Sequence, residues 1–155
     1  MAIRRSGASM VRNILIANGV NLDLLGRREP SVYGRHDLEF LEQTLRTYEK
    51  EQAGRVSLSF YQSNEEAAFL GKLSEGWDGI VLNPGAWTHT SLALADRLAG
   101  LSVPFVEVHI SNLAPRESFR QHSYCAPYAW GIVSGFGLVG YRVALEGLLL
   151  KLEAV

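Results

Sequence analysis

The sequence has few of the residues with which small proteins bind metals or crosslink themselves. Its 155 residues contain one cysteine, Cys125, which cannot form a disulfide within the chain, and no Cys/His group has the spacing of zinc ligands. Lysine and arginine number 15 against 16 acidic residues, so the net charge of -1 gives no long-range attraction to nucleic acid or to an anionic membrane. We therefore expect a cytoplasmic protein without a metal cofactor, whose partners are a small molecule and further copies of itself.

Further absences restrict the chemistry. Nowhere do about 18 apolar residues run together, so no membrane-spanning helix is expected. A phosphate-binding loop of the form G-x-x-x-x-G-K-[ST] is missing, and we expect no glycine-rich phosphate loop of the form G-x-G-x-x-G. The only lysines are Lys50, Lys72 and Lys151, and each falls in a segment with a helical pattern rather than at the end of a strand. Catalysis through a lysine Schiff base is therefore not expected.

The N-terminal segment differs from the rest of the chain. Residues 1–12 carry Arg4, Arg5 and Arg12 but lack the apolar core of a signal peptide. We expect a disordered extension there, or residues upstream of a start at Met10. Residues 13–155, in a chain that is 47% hydrophobic, are enough for one domain with a substantial core and too few for two.

Short apolar runs alternate with segments of helical pattern. In residues 36–52, apolar side chains recur at steps of three and four, which predicts a helix with one buried face. The alternation indicates a parallel sheet with helices on both faces, and five strands favour a single flavodoxin-like α/β domain with strand order 2-1-3-4-5. Ligands bind such sheets at the carboxyl ends of the strands where the winding reverses, here between the first and third strands. The strand-like runs are residues 14–17, 56–61, 79–82, 104–110 and 131–134.

The connection after the first strand is unusually long. Residues 18–35 intervene where about 2 to 6 would suffice, so we expect a lid or a part of the site. The loop contains Arg28 and, five residues later, Tyr33. A nearby arginine could stabilise the phenolate of this tyrosine and make it a base, or the ring could simply pack with its hydroxyl in water. Spacing alone leaves both interpretations open and favours the second.

The fourth predicted strand ends with two titratable residues on one side. Strand alternation sends Glu107 and His109 to the same face, where a carboxylate can orient an imidazole and favour its protonated form. Such a pair suits a general acid, and it could also be an ion pair that ends the strand. Because charge is costly at the end of a buried parallel strand, we favour the functional interpretation.

The loops after strands three and four add further candidates. His89 lies in a polar turn that leads into a helix, for which Thr88 or Thr90 is expected to be the N-cap. Arg116 and Arg120 lie four residues apart, so a helical turn would put both on one face near the site. Each of these basic side chains could also be solvated surface.

Several segments, taken in order, resemble the signatures of one enzyme family. They are NGVNL at 18–22, LGRREPSVYG at 25–34, QSN at 62–64, NPGA at 83–86, THTS at 88–91, VEVHISN at 106–112, and RE, FR and HSY between 116 and 124. They resemble the type II 3-dehydroquinate dehydratases, or type II dehydroquinases, over nearly all of residues 14–149. Several motifs with matching gaps are more specific than any one of them, so the resemblance outweighs the packing interpretation of Tyr33 and the surface interpretation of His89.

The resemblance implies a cofactor-free lyase that dehydrates 3-dehydroquinate to 3-dehydroshikimate through an enolate. Tyr33, as a phenolate stabilised by Arg28, would take the C2 proton, and Asn21 would help to hold a water at the enolate oxygen. His109, oriented by Glu107, would protonate the departing C1 hydroxyl.

The resemblance also implies the binding contacts. The substrate carboxylate would meet Asn83 and the backbone of Ile110 and Ser111. His89 and Arg120 would hold the ring hydroxyls.

An assembly is implied as well, because in this family an aspartate at the position of Asp96 reaches into a neighbouring subunit's site. The usual assembly is a homododecamer made of four trimers. The sequence departs from the family pattern at Val20, Glu65 and Val139, none of which has a role in proton transfer.

The main alternative is a flavodoxin-like ligand-binding module or a regulatory paralogue without catalysis. A flavin phosphate site would favour a first loop rich in serine, threonine and glycine, and this loop has Arg27, Arg28 and Glu29 instead. Both the biosynthetic shikimate route and the breakdown of quinate use the dehydration step, and the sequence is compatible with either.

Overall fold

A parallel five-stranded sheet forms the centre of the molecule. The computed structural model describes residues 10–27, 29–33 and 35–155, without the side chains of residues 30 and 33. The strand order is β2-β1-β3-β4-β5, as predicted, so the winding reverses between β1 and β3. The strands are β1 (Arg12–Asn18), β2 (Val56–Gln62), β3 (Gly79–Asn83), β4 (Phe105–His109) and β5 (Gly131–Ser134).

Helices cover both faces of this sheet, which confirms the predicted α/β class. The helices are α1 (Pro30–Tyr33), α2 (Leu38–Glu51), α3 (Glu66–Leu73), α4 (Trp87–Thr90), α5 (Leu92–Gly100) and α6 (Val139–Ala154). Side chains of α2 and α6 pack on one face, and side chains of α3 and α5 pack on the other.

Alternation along β1 shows how one strand serves two hydrophobic cores. Ile14 and Ile16 belong to the core under α2 and α6, whereas Leu15 and Ala17 belong to the core under α3 and α5. All four side chains are fully buried. Successive side chains of a strand point to opposite faces, so a central strand covered on both sides is apolar throughout.

The helix predicted over residues 36–52 is α2. Its N-cap is Asp37, whose carboxylate accepts a hydrogen bond from the Phe40 backbone N–H at 2.9 Å. Leu41 and Leu45 are buried on its inner face, as the spacing predicts.

The predicted helix cap after β3 was wrong. The N-cap of α5 is Ser91, whose hydroxyl accepts a hydrogen bond from the Leu94 backbone N–H at 2.9 Å. Thr90 ends the single turn of α4, and Thr88 is fully buried with its hydroxyl on the Glu107 carboxylate. The local pattern could not reveal this, because the partner lies 19 residues away.

The described part of the chain begins two residues before β1. β1 begins at Arg12, one residue before the expected boundary at 13. Residues 1–9, on which most of the predicted extension falls, lie outside the described residues. Within the described part of the chain, no helix has the length and apolar character needed to cross a membrane.

Candidate active site

A cavity of about 100 Å³ lies at the carboxyl edge of the sheet. Asn21 from the loop after β1, Asn83 at the end of β3 and His109 at the end of β4 all line it. The ends of β1 and β3 approach each other closely, because the Gly19 N–H donates to the Asn83 carbonyl at 2.8 Å. A side chain at Gly19 would collide with the Pro84 carbonyl, so glycine is needed for this approach. The cavity is where the strand order predicts a ligand site.

Glu107 and His109 form a buried pair behind the cavity. His109 Nε2 lies 2.6 Å from Glu107 Oε1, so the imidazole N–H donates to the carboxylate. Glu107 is fully buried and does not line the cavity, whereas His109 does. The carboxylate therefore orients the ring from behind and leaves its other side for a ligand, as strand alternation predicted.

Two hydroxyl groups complete the environment of Glu107. Thr88 Oγ1 donates to Glu107 Oε1 at 2.6 Å, and Ser123 Oγ lies 2.8 and 3.0 Å from the two carboxylate oxygens. The backbone N–H groups of Cys125 and Ala126 donate to Ser123 Oγ at 3.1 and 2.9 Å. These donors fix the serine so that its own proton is directed at the carboxylate.

These hydrogen bonds keep the carboxylate ionised. Burial alone would raise the pKa of the Glu107 carboxyl, but hydrogen bonds from His109, Thr88 and Ser123 outweigh burial and hold the pKa below its usual value. The ionised carboxylate accepts the imidazole N–H of His109 and so orients the ring that lines the cavity.

His89 also lines the cavity, and its hydrogen bonding fixes its chemical role. Its Nδ1–H donates to the carbonyl of His122 at 2.7 Å. Burial lowers the pKa of His89, and the charges of His109 and Arg120 lower it further, against the opposing effect of the His122 carbonyl. A neutral imidazole that donates through Nδ1 presents Nε2 as an acceptor, so His89 can accept a hydrogen bond from a ligand hydroxyl.

Two arginines line the cavity from the segment after β4, as their spacing suggested. The Glu117 carboxylate lies 3.5 Å from Arg116 Nε and 3.3 Å from Arg120 Nε. The Arg120 Nε–H is buried and makes no hydrogen bond, so its contact with Glu117 is an ion pair with poor alignment. Arg116 also donates to the Ser111 hydroxyl at 3.1 Å. The expected helical turn through both arginines was wrong, because the segment has only a short 3₁₀ turn over Ser118–Arg120, which does not include Arg116.

The other predicted catalytic residues belong to the loop after β1. Asn21 has a left-handed backbone with φ of 65°, and its N–H donates to the Asn64 side-chain oxygen at 2.8 Å. Tyr33 is the last residue of α1, but its side chain, like Arg28, lies outside the described residues. The proximity of this tyrosine and arginine therefore stays a prediction.

The remaining predicted binding residues separate into two groups. Ile110 and Ser111 line the cavity beside His109, where they were expected. Asp96 is exposed on α5 and lines a different surface depression, together with Leu70 and Arg97. It does not reach the cavity of its own chain.

Sequence reasoning missed the hydrogen bonds that Thr88 and Ser123 make to the Glu107 carboxylate. Thr88 was interpreted as a helix cap, and Ser123 was noted only within the HSY segment. The available signal was their occurrence in two motifs of the same series, which are brought together by the fold. Polar side chains next to a proposed Glu/His pair in such motifs are candidates for its hydrogen-bond partners.

The expectation of no glycine-rich loop was wrong, because residues 135–140 read G-x-G-x-x-G between β5 and α6. In dinucleotide-binding proteins such a loop offers free N–H groups to phosphate. Here the Gly135 N–H donates to the His109 carbonyl at 3.1 Å and the Gly137 N–H donates to the Ile110 carbonyl at 2.9 Å. The loop also lies beyond the edge strand rather than at the reversal of winding. It therefore supports the backbone that carries His109.

The fold and the site together define a flavodoxin-like α/β enzyme with a buried carboxylate–histidine pair behind a small polar cavity. In the portion of the chain that the structure describes, no group of three or more His, Cys, Asp or Glu side chains is placed to hold a metal ion.

Comparison with known proteins identifies the family. The family model for dehydroquinase class II matches residues 12–149, and the chain belongs to that family of lyases. The 3-dehydroquinate dehydratase of Nitrosomonas europaea is 49% identical over 146 residues, which cover 92% of this chain and 100% of that protein. The 3-dehydroquinate dehydratase 2 of Pseudomonas aeruginosa is 45% identical over 148 residues, with coverage of 94% and 99%.

Solved structures agree with the family assignment. The type II dehydroquinase from Butyrivibrio crossotus has a TM-score of 0.86 at 42% identity and covers 90% of this chain and 98% of its own. The type II dehydroquinase from Propionibacterium acnes has a TM-score of 0.85 at 39% identity, with coverage of 92% and 99%. The resemblance inferred from the motifs is therefore confirmed.

Proposed function

We propose that this protein removes water from 3-dehydroquinate to give 3-dehydroshikimate through an enolate intermediate, without a metal or an organic cofactor. The observation that carries the proposal is the buried Glu107–His109 pair at the cavity of a chain that matches its family along almost its whole length. In the reaction, a base removes the C2 proton and the electrons move onto the C3 carbonyl oxygen. The enolate then expels the C1 hydroxyl, which takes a proton and leaves as water.

His109 is the proposed general acid for the departing hydroxyl. It lines the cavity, and the ionised Glu107 behind it accepts its Nε2–H and orients the ring. Thr88 and Ser123 also donate to the carboxylate and restrict its movement, which helps to hold the ring in its orientation. A general acid contributes about 10²-fold to 10⁴-fold to such a step.

Tyr33 is the proposed base, in the phenolate form and with Arg28 beside it. Free tyrosine has a pKa of about 10, and a neighbouring cation lowers the pKa of an acid by about 1 to 3 units. Asn21, which lines the cavity from the same loop, is proposed to help hold a water at the enolate oxygen.

The substrate carboxylate is proposed to meet Asn83 and the backbone of Ile110 and Ser111. His89 and Arg120 are proposed to hold the ring hydroxyls. Two observations support these last assignments: His89 presents an acceptor nitrogen, and Arg120 has a buried N–H that makes no hydrogen bond.

The active form is proposed to be an oligomer, namely trimers assembled into a dodecamer. Asp96 would enter the site of a neighbouring subunit, which is compatible with its exposed position away from its own chain's cavity.

The direct test is to mix purified protein with 3-dehydroquinate and follow the ultraviolet absorbance of the conjugated product. We expect turnover at the same rate with and without a metal chelator. His109→Ala should lower kcat by about 10²-fold or more, because it removes the acid that the leaving hydroxyl needs. Binding of 3-dehydroquinate without turnover by the wild type would instead support a non-catalytic paralogue.

A further inference from the structure

Three buried polar side chains form a connected group that extends from the cavity into the core. The Tyr141 hydroxyl lies 2.5 Å from Asn18 Oδ1 and 2.8 Å from Asn83 Nδ2. Asn83 Oδ1 in turn accepts a hydrogen bond from the Gly85 N–H at 3.1 Å. Tyr141 is fully buried, and both asparagines are nearly so. The group joins β1, β3 and α6, and of its three side chains only Asn83 lines the cavity.

Counting donors and acceptors gives this group one consistent arrangement. The Gly85 N–H can only donate, so the atom of Asn83 that faces it must be the amide oxygen. The amide nitrogen of Asn83 then faces Tyr141 and donates to the phenol oxygen. The single phenol proton of Tyr141 must therefore go to Asn18. Reversing the Asn83 amide would leave the Gly85 N–H facing a donor.

A phenol in the core is costly unless its hydroxyl has partners, and a phenylalanine would fill nearly the same volume without that cost. Burial also raises the pKa of Tyr141 well above its usual range, so the residue remains a neutral phenol and keeps the proton that it donates to Asn18. The hydroxyl is therefore available to position Asn83 at neutral pH.

The fixed amide has a consequence for ligands. One N–H of Asn83 is bound to Tyr141, and the other remains for the cavity that Asn83 lines. A fixed N–H attracts an anionic oxygen and offers less to a neutral ester, whereas an amide free to flip could present either its oxygen or its nitrogen.

We propose that Tyr141 is a positioning residue that sets the Asn83 amide with an N–H toward the cavity and thereby selects ligands that carry a carboxylate at that point. This inference rests on the proposed function for the identity of the substrate, whose carboxylate is the group that meets Asn83. Tyr141 does not touch the substrate; it acts through Asn83.

The test compares the binding of quinate with that of its methyl ester, which differ in the charge of the carboxyl group. For the wild type, quinate should bind more tightly. In Tyr141→Phe the ratio of the two dissociation constants should fall by about tenfold, the size of one lost hydrogen bond to a charged group. With 3-dehydroquinate as substrate, KM should rise more than kcat falls.

Two further variants separate positioning from general damage. Tyr48→Phe removes a phenol from the inner face of α2, and Tyr48 does not line the cavity. This variant should leave the ratio of the two dissociation constants unchanged. In Asn83→Ala the ratio should fall as in Tyr141→Phe, and the double variant should have no further effect. Equal weakening of both ligands in Tyr141→Phe, with the ratio preserved, would overturn the proposal.

A crystal structure of the wild type with quinate gives an answer even if Tyr141→Phe does not fold. We expect Asn83 Nδ2 within hydrogen-bond distance of both the Tyr141 hydroxyl and the quinate carboxylate. A carboxylate bound away from Asn83 would refute the proposal. Failure of the wild type to turn over 3-dehydroquinate would count against the proposed function alone, since the binding ratio is measured without turnover.

Discussion

Glu107 is the residue around which the site is organised, because three different side chains donate to its carboxylate. Replacing it by glutamine keeps the shape but removes the negative charge that accepts the His109 N–H. We expect Glu107→Gln to lower kcat by about 10²-fold, comparable to the loss of a positioned acid. The ultraviolet assay with 3-dehydroquinate measures this effect.

The same variant gives a pH test of stability. The folded pKa of Glu107 lies below its usual 4.5, so the ionised carboxylate stabilises the fold above that pH and loses this contribution as the pH falls through the folded pKa. The difference in unfolding free energy between wild type and Glu107→Gln should therefore narrow below about pH 4.5. Urea unfolding of both proteins at a series of pH values measures this difference in unfolding free energy. A difference that widens on acidification would mean that the carboxyl is protonated in the folded protein.

Tyr33 is the residue on which the proposed chemistry depends most, since phenylalanine at this position has no proton to exchange. Tyr33→Phe should abolish turnover while substrate still binds. Arg28→Ala should lower the rate and move upward the pH at which the rate rises as the base loses its proton. Each lost unit of pKa stabilisation corresponds to about 1.4 kcal/mol. If Tyr33→Phe retained turnover within about tenfold of wild type, less than the ~10² expected from loss of a base, another residue would have to be the base.

At the scale of single residues, the sequence predicted the Glu107–His109 pair because both members lie on one strand. It did not predict the role of Ser123, which lies 16 residues from Glu107 and meets it only through the fold. Local periodicity determines which residues share a face, but it does not determine which face another segment covers.

Among the structural elements, the turn between β5 and α6 is the one that most directly supports the site. Gly135 has φ of 92°, and an added Cβ would lie 3.0 Å from the Cβ of Asn112. Gly135→Ala should therefore destabilise the fold by about 1 to 3 kcal/mol. It should also lower kcat, because the Gly135 N–H holds the His109 carbonyl. Chemical denaturation measures the change in unfolding free energy, and the ultraviolet assay measures the change in kcat.

A matched control is available in α6, which the turn precedes. Gly147 lies within this helix with nothing near the position of an added Cβ. Gly147→Ala should stabilise the protein by about 0.5 to 1 kcal/mol and leave kcat unchanged. Equal activity in Gly135→Ala and Gly147→Ala would mean that the turn does not position His109.

At the scale of the structural elements, the sequence predicted the type and order of the strands and long helices, since the hydrophobic periods of strands and helices differ. It placed the helix cap after β3 incorrectly. Thr88 and Ser91 are both good capping residues, and the choice between them depends on the buried carboxylate that Thr88 reaches.

For the whole molecule, the exposed position of Asp96 leads to a prediction about assembly. If Asp96 serves a neighbouring subunit, Asp96→Ala should lower activity by about tenfold, as expected for loss of a hydrogen bond to a charged group. Glu153→Ala, which removes an exposed carboxylate at the far end of α6, should have no effect. Sedimentation should show that active protein is oligomeric.

Mixing two variants tests the shared site directly. Asp96→Ala and Tyr33→Phe chains, unfolded and refolded together, should regain activity above that of either variant alone. Some sites would then combine a normal Tyr33 from one chain with a normal Asp96 from another. If mixed oligomers gained nothing, each chain would have to use its own Asp96.

The sequence by itself determined the α/β class, the strand order and the family. Side-chain periodicity and the series of motifs can be read from the residues alone, without knowledge of how the chain folds. It also determined which residue types stand at the strand ends. The tertiary structure decided which of these side chains meet, including the contact of Tyr141 with Asn18 across 123 residues and the contact of Thr88 with Glu107. Such contacts depend on how helices pack on a sheet, and a hydrogen bond needs its two atoms placed to within about half an ångström, which no local pattern specifies.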